Sequence, residues 1–136
     1  MKAAWRAALA PLCLLAMLPL SAWAQTPAEN ILASYVKRAG APASAERGQA
    51  FFTQKHKGGV FDSCSTCHTA DPLKRGRDEV AEKPIPPLAP AVTKKNFTDA
   101  SRVEHLFKLN CKDVLSRECT AQEKADVMAW LISLKP

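Results

Sequence analysis

The stretch Cys64-Ser65-Thr66-Cys67-His68 decides how the chain is read. Its two thiols stand three positions apart, close enough on one helical turn for each to add to a vinyl group of the same porphyrin. The next residue brings an imidazole to the iron. C-x-x-C-H is the spacing of c-type haem attachment. A zinc site would need a second ligand pair at similar spacing, and the other cysteines, Cys13, Cys111 and Cys119, contain no further C-x-x-C. A redox dithiol would need a βαβ setting, whereas the flanking sequence reads as helix and loop. A covalently held haem c cannot leave, so a small domain can fold around it.

Outward from the motif, the N-terminus reads as a leader. Lys2 and Arg6 precede an apolar run from Ala7 to Leu20, and Ala22-Trp23-Ala24 offers a small-x-small cleavage site before Gln25. Residues 1–24 are therefore expected to be a signal peptide and residues 25–136 one haem domain. The run is too short and too early for a spanning helix, so no stable membrane insertion follows cleavage. Cys13 follows Leu12 rather than a small residue, which argues against a lipoprotein site. Export places the chain in an oxidising space, in a bacterium the periplasm. There Cys111 and Cys119 most simply pair, closing a short loop worth ~2–3 kcal/mol; a free-thiol role is the alternative.

The formal net charge of the whole chain is +6, and Lys2 and Arg6 in the leader carry part of it. This balance is too modest for a nucleic-acid footprint. Basic residues gather near the motif (Lys55, Lys57, Lys74, Arg75, Arg77) and later (Lys94, Lys95, Lys108, Lys112). They read either as a solvated face or as a docking rim for an acidic redox partner.

Pro27 to Ala39 reads as a helix with Ile31, Leu32, Tyr35 and Val36 on one face, ended by Gly40 and Pro42. A second helix is expected from about Ser44 to His56, with Gly48 marking the close approach of another helix and Phe52 a ring to pack on it. The stretch from His68 to Asn96 is proline-rich and lacks periodicity. Such a long loop is unusual in a compact domain but reasonable around a porphyrin, with Ile85, Leu88 and Val92 turned inward. A carbonyl in Ile85-Pro86-Pro87 is expected to accept the Nδ1 hydrogen of His68. A third helix is expected from Thr98 or Asp99 to about Leu109, with Val103, Leu106, Phe107 and Asn110 as its apolar face. Thr120-Ala121-Gln122-Glu123 is a capping box opening the last helix, whose Trp130 and Leu131 should meet Gly48 and Phe52.

The sixth iron ligand decides the function. Methionine is the electron carrier's choice, and Met128, the one methionine beyond the leader, lies inside the last helix like a core residue. His56 reads as solvated, and His105 falls on the polar side of its helix. Asn110 ends an apolar stripe, where it either caps the helix or turns its amide oxygen to the iron.

Several runs carry a resemblance that spans almost the whole mature chain. They are Ala39-Gly40-Ala41-Pro42, Ala45-Glu46-Arg47-Gly48, Pro87-Leu88-Ala89-Pro90, Asn96-Phe97-Thr98-Asp99, Arg102-Val103-Glu104, Asn110-Cys111, Arg117-Glu118-Cys119-Thr120, Glu123-Lys124-Ala125-Asp126 and Ala129-Trp130-Leu131. With them the chain resembles the sphaeroides haem protein (SHP) family, a variant of class I monohaem cytochrome c. The resemblance implies His68 below the haem, Asn110 above it, and a Cys111–Cys119 disulfide beside that asparagine. It further implies that Asn110 binds ferric iron and is released on reduction, opening a site for O2 or NO, with CO as a further small ligand. A dihaem cytochrome c is the implied electron donor.

The resulting expectation is an exported all-α, class I cytochrome c-like domain around one haem c, not an enzyme. It accepts electrons from another cytochrome and gates small-gas binding through Cys64, Cys67, His68 and Asn110. The rivals are a plain His/Met carrier using Met128 and an O2 or NO reductase.

Overall fold

The computed structural model describes residues 24–136; the leader readings before that, Cys13 included, lie outside the described residues. Helix α1 spans Pro27–Ala39. Its cap is a reciprocal box: the Thr26 N–H donates to Glu29 Oε2 at 2.7 Å, and the Glu29 N–H donates to the Thr26 hydroxyl at 3.3 Å. Gly40 ends it at φ 70°, the left-handed conformation glycine adopts without strain.

Helix α2 spans Ala45–Thr53, capped by Ser44. It stops one turn before the expected His56. Gln54 turns extended, and the chain folds back so that the His56 N–H reaches the Asp62 carbonyl at 2.7 Å. A single helical turn, α3 (Ser65–His68), carries the motif. The proline-rich stretch, expected to be irregular, contains a short antiparallel hairpin: β1 (Gly76–Arg77) pairs with β2 (Pro84–Ile85), Gly76 opposite Ile85. Strands of two residues are too short to show an alternation in sequence. The tip is stitched to itself, with the Asp78 N–H donating to the Lys83 carbonyl and Asp78 Oδ1 accepting from the N–H groups of Val80 and Ala81.

Helix α4 spans Ala100–Leu115 behind an Asp99 cap, well beyond the expected end at Leu109. Its buried stripe is Val103, Cys111 and Val114, with Phe107 half-buried between them. Asn110 therefore does not extend the buried face. Helix α5 spans Ala121–Ser133, and the expected Thr120–Glu123 box is present on both arms.

Helix α5 is the centre of the fold because it is buried almost all round, from Lys124 to Met128 and again at Trp130 and Leu131. Helices α1 and α2 both lie against it. At the second crossing the backbones touch: a Cβ on Gly48 would collide with the main chain of Asp126 and Val127. Just beyond, the Phe52 and Trp130 rings pack with centroids 5.1 Å apart. The expected meeting of these helices is as read.

Two ionic clusters pin this arrangement. Lys124, only 5% exposed, donates to Glu104 Oε1 at 2.6 Å. Tyr35 donates to the same carboxylate at 2.8 Å and Arg38 at 3.3 Å. Burial alone pushes the Glu104 carboxyl up, but those three donors outweigh it and hold it at about 2. Asp126 is held below the usual range in the same way, burial being outweighed by Arg47, the Ser44 N–H and Gln122.

Two outcomes are expected. Gly48→Ala forces α2 and α5 apart and costs about 1–3 kcal/mol in thermal or denaturant unfolding. For Glu104 the lowered folded value means that its contribution is complete above about pH 4.5 and lost as the pH falls towards 2. Melting temperature followed across that window should drop, and Glu104→Gln should flatten the acid limb.

Candidate functional site

The motif residues occupy the free side of the α2–α5 contact. Ser63 is buried, and its hydroxyl bonds the hydroxyls of Ser65 and Thr66 at 2.8 and 3.2 Å, shaping the entry to α3. Cys64 and Cys67 are half-buried free thiols. Cys64 packs on the cluster of Phe52, Val127, Trp130 and Leu131, and burial pushes its thiol up to about 11. Gly76 presses β1 onto α3, where a Cβ would strike the Cys67 carbonyl.

His68 closes α3, its ring 6.2 Å from that of Phe52. Burial lowers its pKa and favours the neutral imidazole that binds metals. Its Nδ1 is buried and, among the described residues, has no hydrogen-bond partner. The expected bond to a carbonyl of Ile85-Pro86-Pro87 is not made. The Pro87 carbonyl instead accepts from Thr93 Oγ1 at 2.7 Å and from Asn96 Nδ2 at 3.0 Å. An unpaired buried polar atom costs about 1–3 kcal/mol; with the hydrogen on Nδ1, Nε2 is the ring nitrogen left to bind a metal. Two reduced thiols and a neutral, unpaired imidazole at this spacing fit a covalently attached haem.

The candidates for the opposite ligand separate clearly. Met128 is fully buried with Ala28, Ile31 and Tyr35, in the core cluster on the α1 side. His56, expected to be solvated, is half-buried, with Nε2 2.8 Å from the Phe51 carbonyl and its ring against Phe51. His105 is exposed, as its polar side predicted. Asn110 lies inside α4 rather than at its end, so it is not a cap; Ser116 fills that role at φ 55°. Asn110 is exposed, one turn beyond Leu106 and next to Leu109. Those two leucines are 42% and 47% exposed, and Val92, expected to face inward, is 42% exposed. Cys111, the next residue, is buried and bonded to Cys119 across a Cα–Cα distance of 5.6 Å.

One feature escaped the sequence reading. Lys57-Gly58-Gly59 serves as more than a helix breaker, because a Cβ on Gly59 would collide with the main chain of Asp113 and Val114. The adjacent glycines were the available signal.

Residues 38–131 match the family model described as a domain of unknown function, DUF1924. The chain is 47% identical over 115 residues to the cytochrome c-type protein SHP of Cereibacter sphaeroides, covering 83% of this chain and 88% of that protein. The structure of oxidized SHP, described as an oxygen-binding cytochrome c, superposes with a TM-score of 0.77 at 44% identity, over 82% of this chain and all of that one. Cytochrome c'' of Methylophilus methylotrophus is 42% identical over 88 residues, 63% of this chain and 61% of that protein. Its solution structure, reported with the basis of haem-ligand detachment, has a TM-score of 0.70 at 36% identity, over 80% of this chain and 94% of that one.

Cys67→Ala should leave one thioether. Haem then stays with the protein through acid–acetone extraction, while its reduced pyridine haemochrome band moves to longer wavelength. The double variant Cys64→Ala/Cys67→Ala should release the haem on extraction.

Proposed function

Because the chain belongs to the SHP family of c-type cytochromes, monohaem proteins that transfer electrons or bind ligands, we propose that it is a periplasmic electron acceptor whose distal ligand is released on reduction. When bound, the haem would supply a one-electron iron couple. Cys64 and Cys67 anchor it, and His68 provides the proximal nitrogen. Asn110 provides the distal oxygen.

The behaviour of Asn110 follows from its chemistry. An amide oxygen is a hard, neutral and weak donor, better matched to ferric than to the softer ferrous iron. Asn110 therefore holds in the oxidised protein and lets go when an electron arrives. The released position takes O2 or NO, or CO in the laboratory. SHP is described as oxygen binding and cytochrome c'' as undergoing haem-ligand detachment, which supports the same reading here. A methionine ligand would raise the potential and stay bound, but Met128 is committed to the core. The observation that carries the proposal is the place of Asn110: mid-helix, exposed, on the leucine-lined flank of α4 and adjacent to the disulfide.

The donor is another cytochrome, of the dihaem type that the family resemblance implies. Lys74, Arg77 and Lys108 pair locally with Asp71, Glu82 and Glu118 at 3.3, 3.6 and 3.4 Å. Lys94, Lys95 and Lys112 are exposed and suit an acidic partner surface, with salt-sensitive encounter. The predicted leader would deliver the chain to the periplasm.

Asn110→Ala is the test. The ferric spectrum should lose its protein-derived sixth ligand, while the ferrous spectrum and CO uptake change little. An unchanged ferric spectrum rejects the assignment.

A further inference from the structure

We propose that the loop preceding the haem motif, gripping the end of α4, sets the position of Asn110, and that Gly59 and Ser116 are positioning residues for its ligation. The inference rests on the assignment of Asn110 as distal ligand.

The loop is closed at its neck. The His56 N–H donates to the Asp62 carbonyl at 2.7 Å, and Lys55 pairs with the Asp62 carboxylate at 3.2 Å. Its tip lies on the last turn of α4. The N–H groups of Val60 and Phe61 both donate to the Asp113 carbonyl, at 2.6 and 3.1 Å. Carbonyls in a final helical turn lack intrahelical partners, and here a neighbouring loop satisfies one of them. The Ser116 hydroxyl donates to the Gly58 carbonyl. Gly59 permits all of this, since any side chain there would occupy the space of the Asp113 and Val114 backbone.

The connection matters because of what lies at each end. Asp113 is three residues, less than one turn, beyond Asn110. Asp62 is separated from Cys64 only by the buried Ser63. One short loop thus joins the attachment motif to the helix that carries the distal ligand. At its other end α4 is held by Glu104 through Lys124, Tyr35 and Arg38. Asn110 sits between the two holds. Loosening the loop end lowers the effective concentration of its amide at the site, and an external ligand that competes for the ferric position then gains affinity.

The experiment titrates imidazole into the ferric holoprotein and CO into the ferrous one. Ser116→Gly removes the hydroxyl donor yet keeps the helix end, because glycine prefers the left-handed conformation found there. The expected result is imidazole binding about fivefold tighter, unchanged CO affinity, and a melting temperature equal to or above that of the parent. Gly59→Ala should shift imidazole affinity further in the same direction. If Gly59→Ala fails to fold, Ser116→Gly decides alone. Unchanged imidazole affinity in Ser116→Gly overturns the inference, as does an equal gain for CO. Asn110→Ala separates the two levels. If it tightens imidazole binding while the loop variants do not, only the positioning role falls. If it changes neither the ferric spectrum nor imidazole affinity, the ligand assignment falls and takes the positioning role with it.

Discussion

The structure depends on one contact between main chains: α2 laid across α5 at Gly48, with no side chain between them. This close approach allows the tilted rings of Phe52 and Trp130 to pack beyond it, and their cluster is the surface on which Cys64 rests and which His68 faces through Phe52. The Arg47–Asp126 pair at 2.8 Å and the Ser44 N–H bond to Asp126 at 2.7 Å hold the same crossing from its polar side. The attachment motif thus rests directly on this packed crossing.

The α4 side of the fold is built on different terms. Helix α4 reaches the core through a narrow stripe, Val103, Phe107, Cys111 and Val114, and through charge pairing at Glu104. Its flank with Leu106, Leu109 and Asn110 is left outside that packing. In the role proposed for it, Asn110 is a weak donor on an element held at both ends, which lets its bond form and release without unfolding of the helix.

Much of this was legible from the chain. The motif, the Thr120 capping box, the Gly48 crossing and the Cys111–Cys119 pair each announce themselves through chemistry that is local in sequence. What was missed is long-range. Asn110, followed by charged residues, looks like a helix end, and only burial of Cys111 and Val114 against the rest of the fold shows why α4 continues. The Pro87 carbonyl looked available to His68, but Thr93 and Asn96, six and nine residues away, take it. His56 looked solvated because nothing in its neighbours announces the Phe51 carbonyl that receives it. Periodicity by itself placed Asn110 on the buried face, whereas it is exposed; the ligand role proposed for it came from family resemblance.

The hairpin between α3 and α4 carries a separate lesson. Its base is tied to the site, since Gly76 abuts Cys67, while among the described residues its tip is bonded within the hairpin, through Asp78 and the Arg77–Glu82 pair. Val80 at the apex is 79% exposed. Extra residues spliced into that apex would lengthen an exposed turn, so this is the point at which the chain can accept a label, a tag or an added module while the metal-binding end keeps its shape.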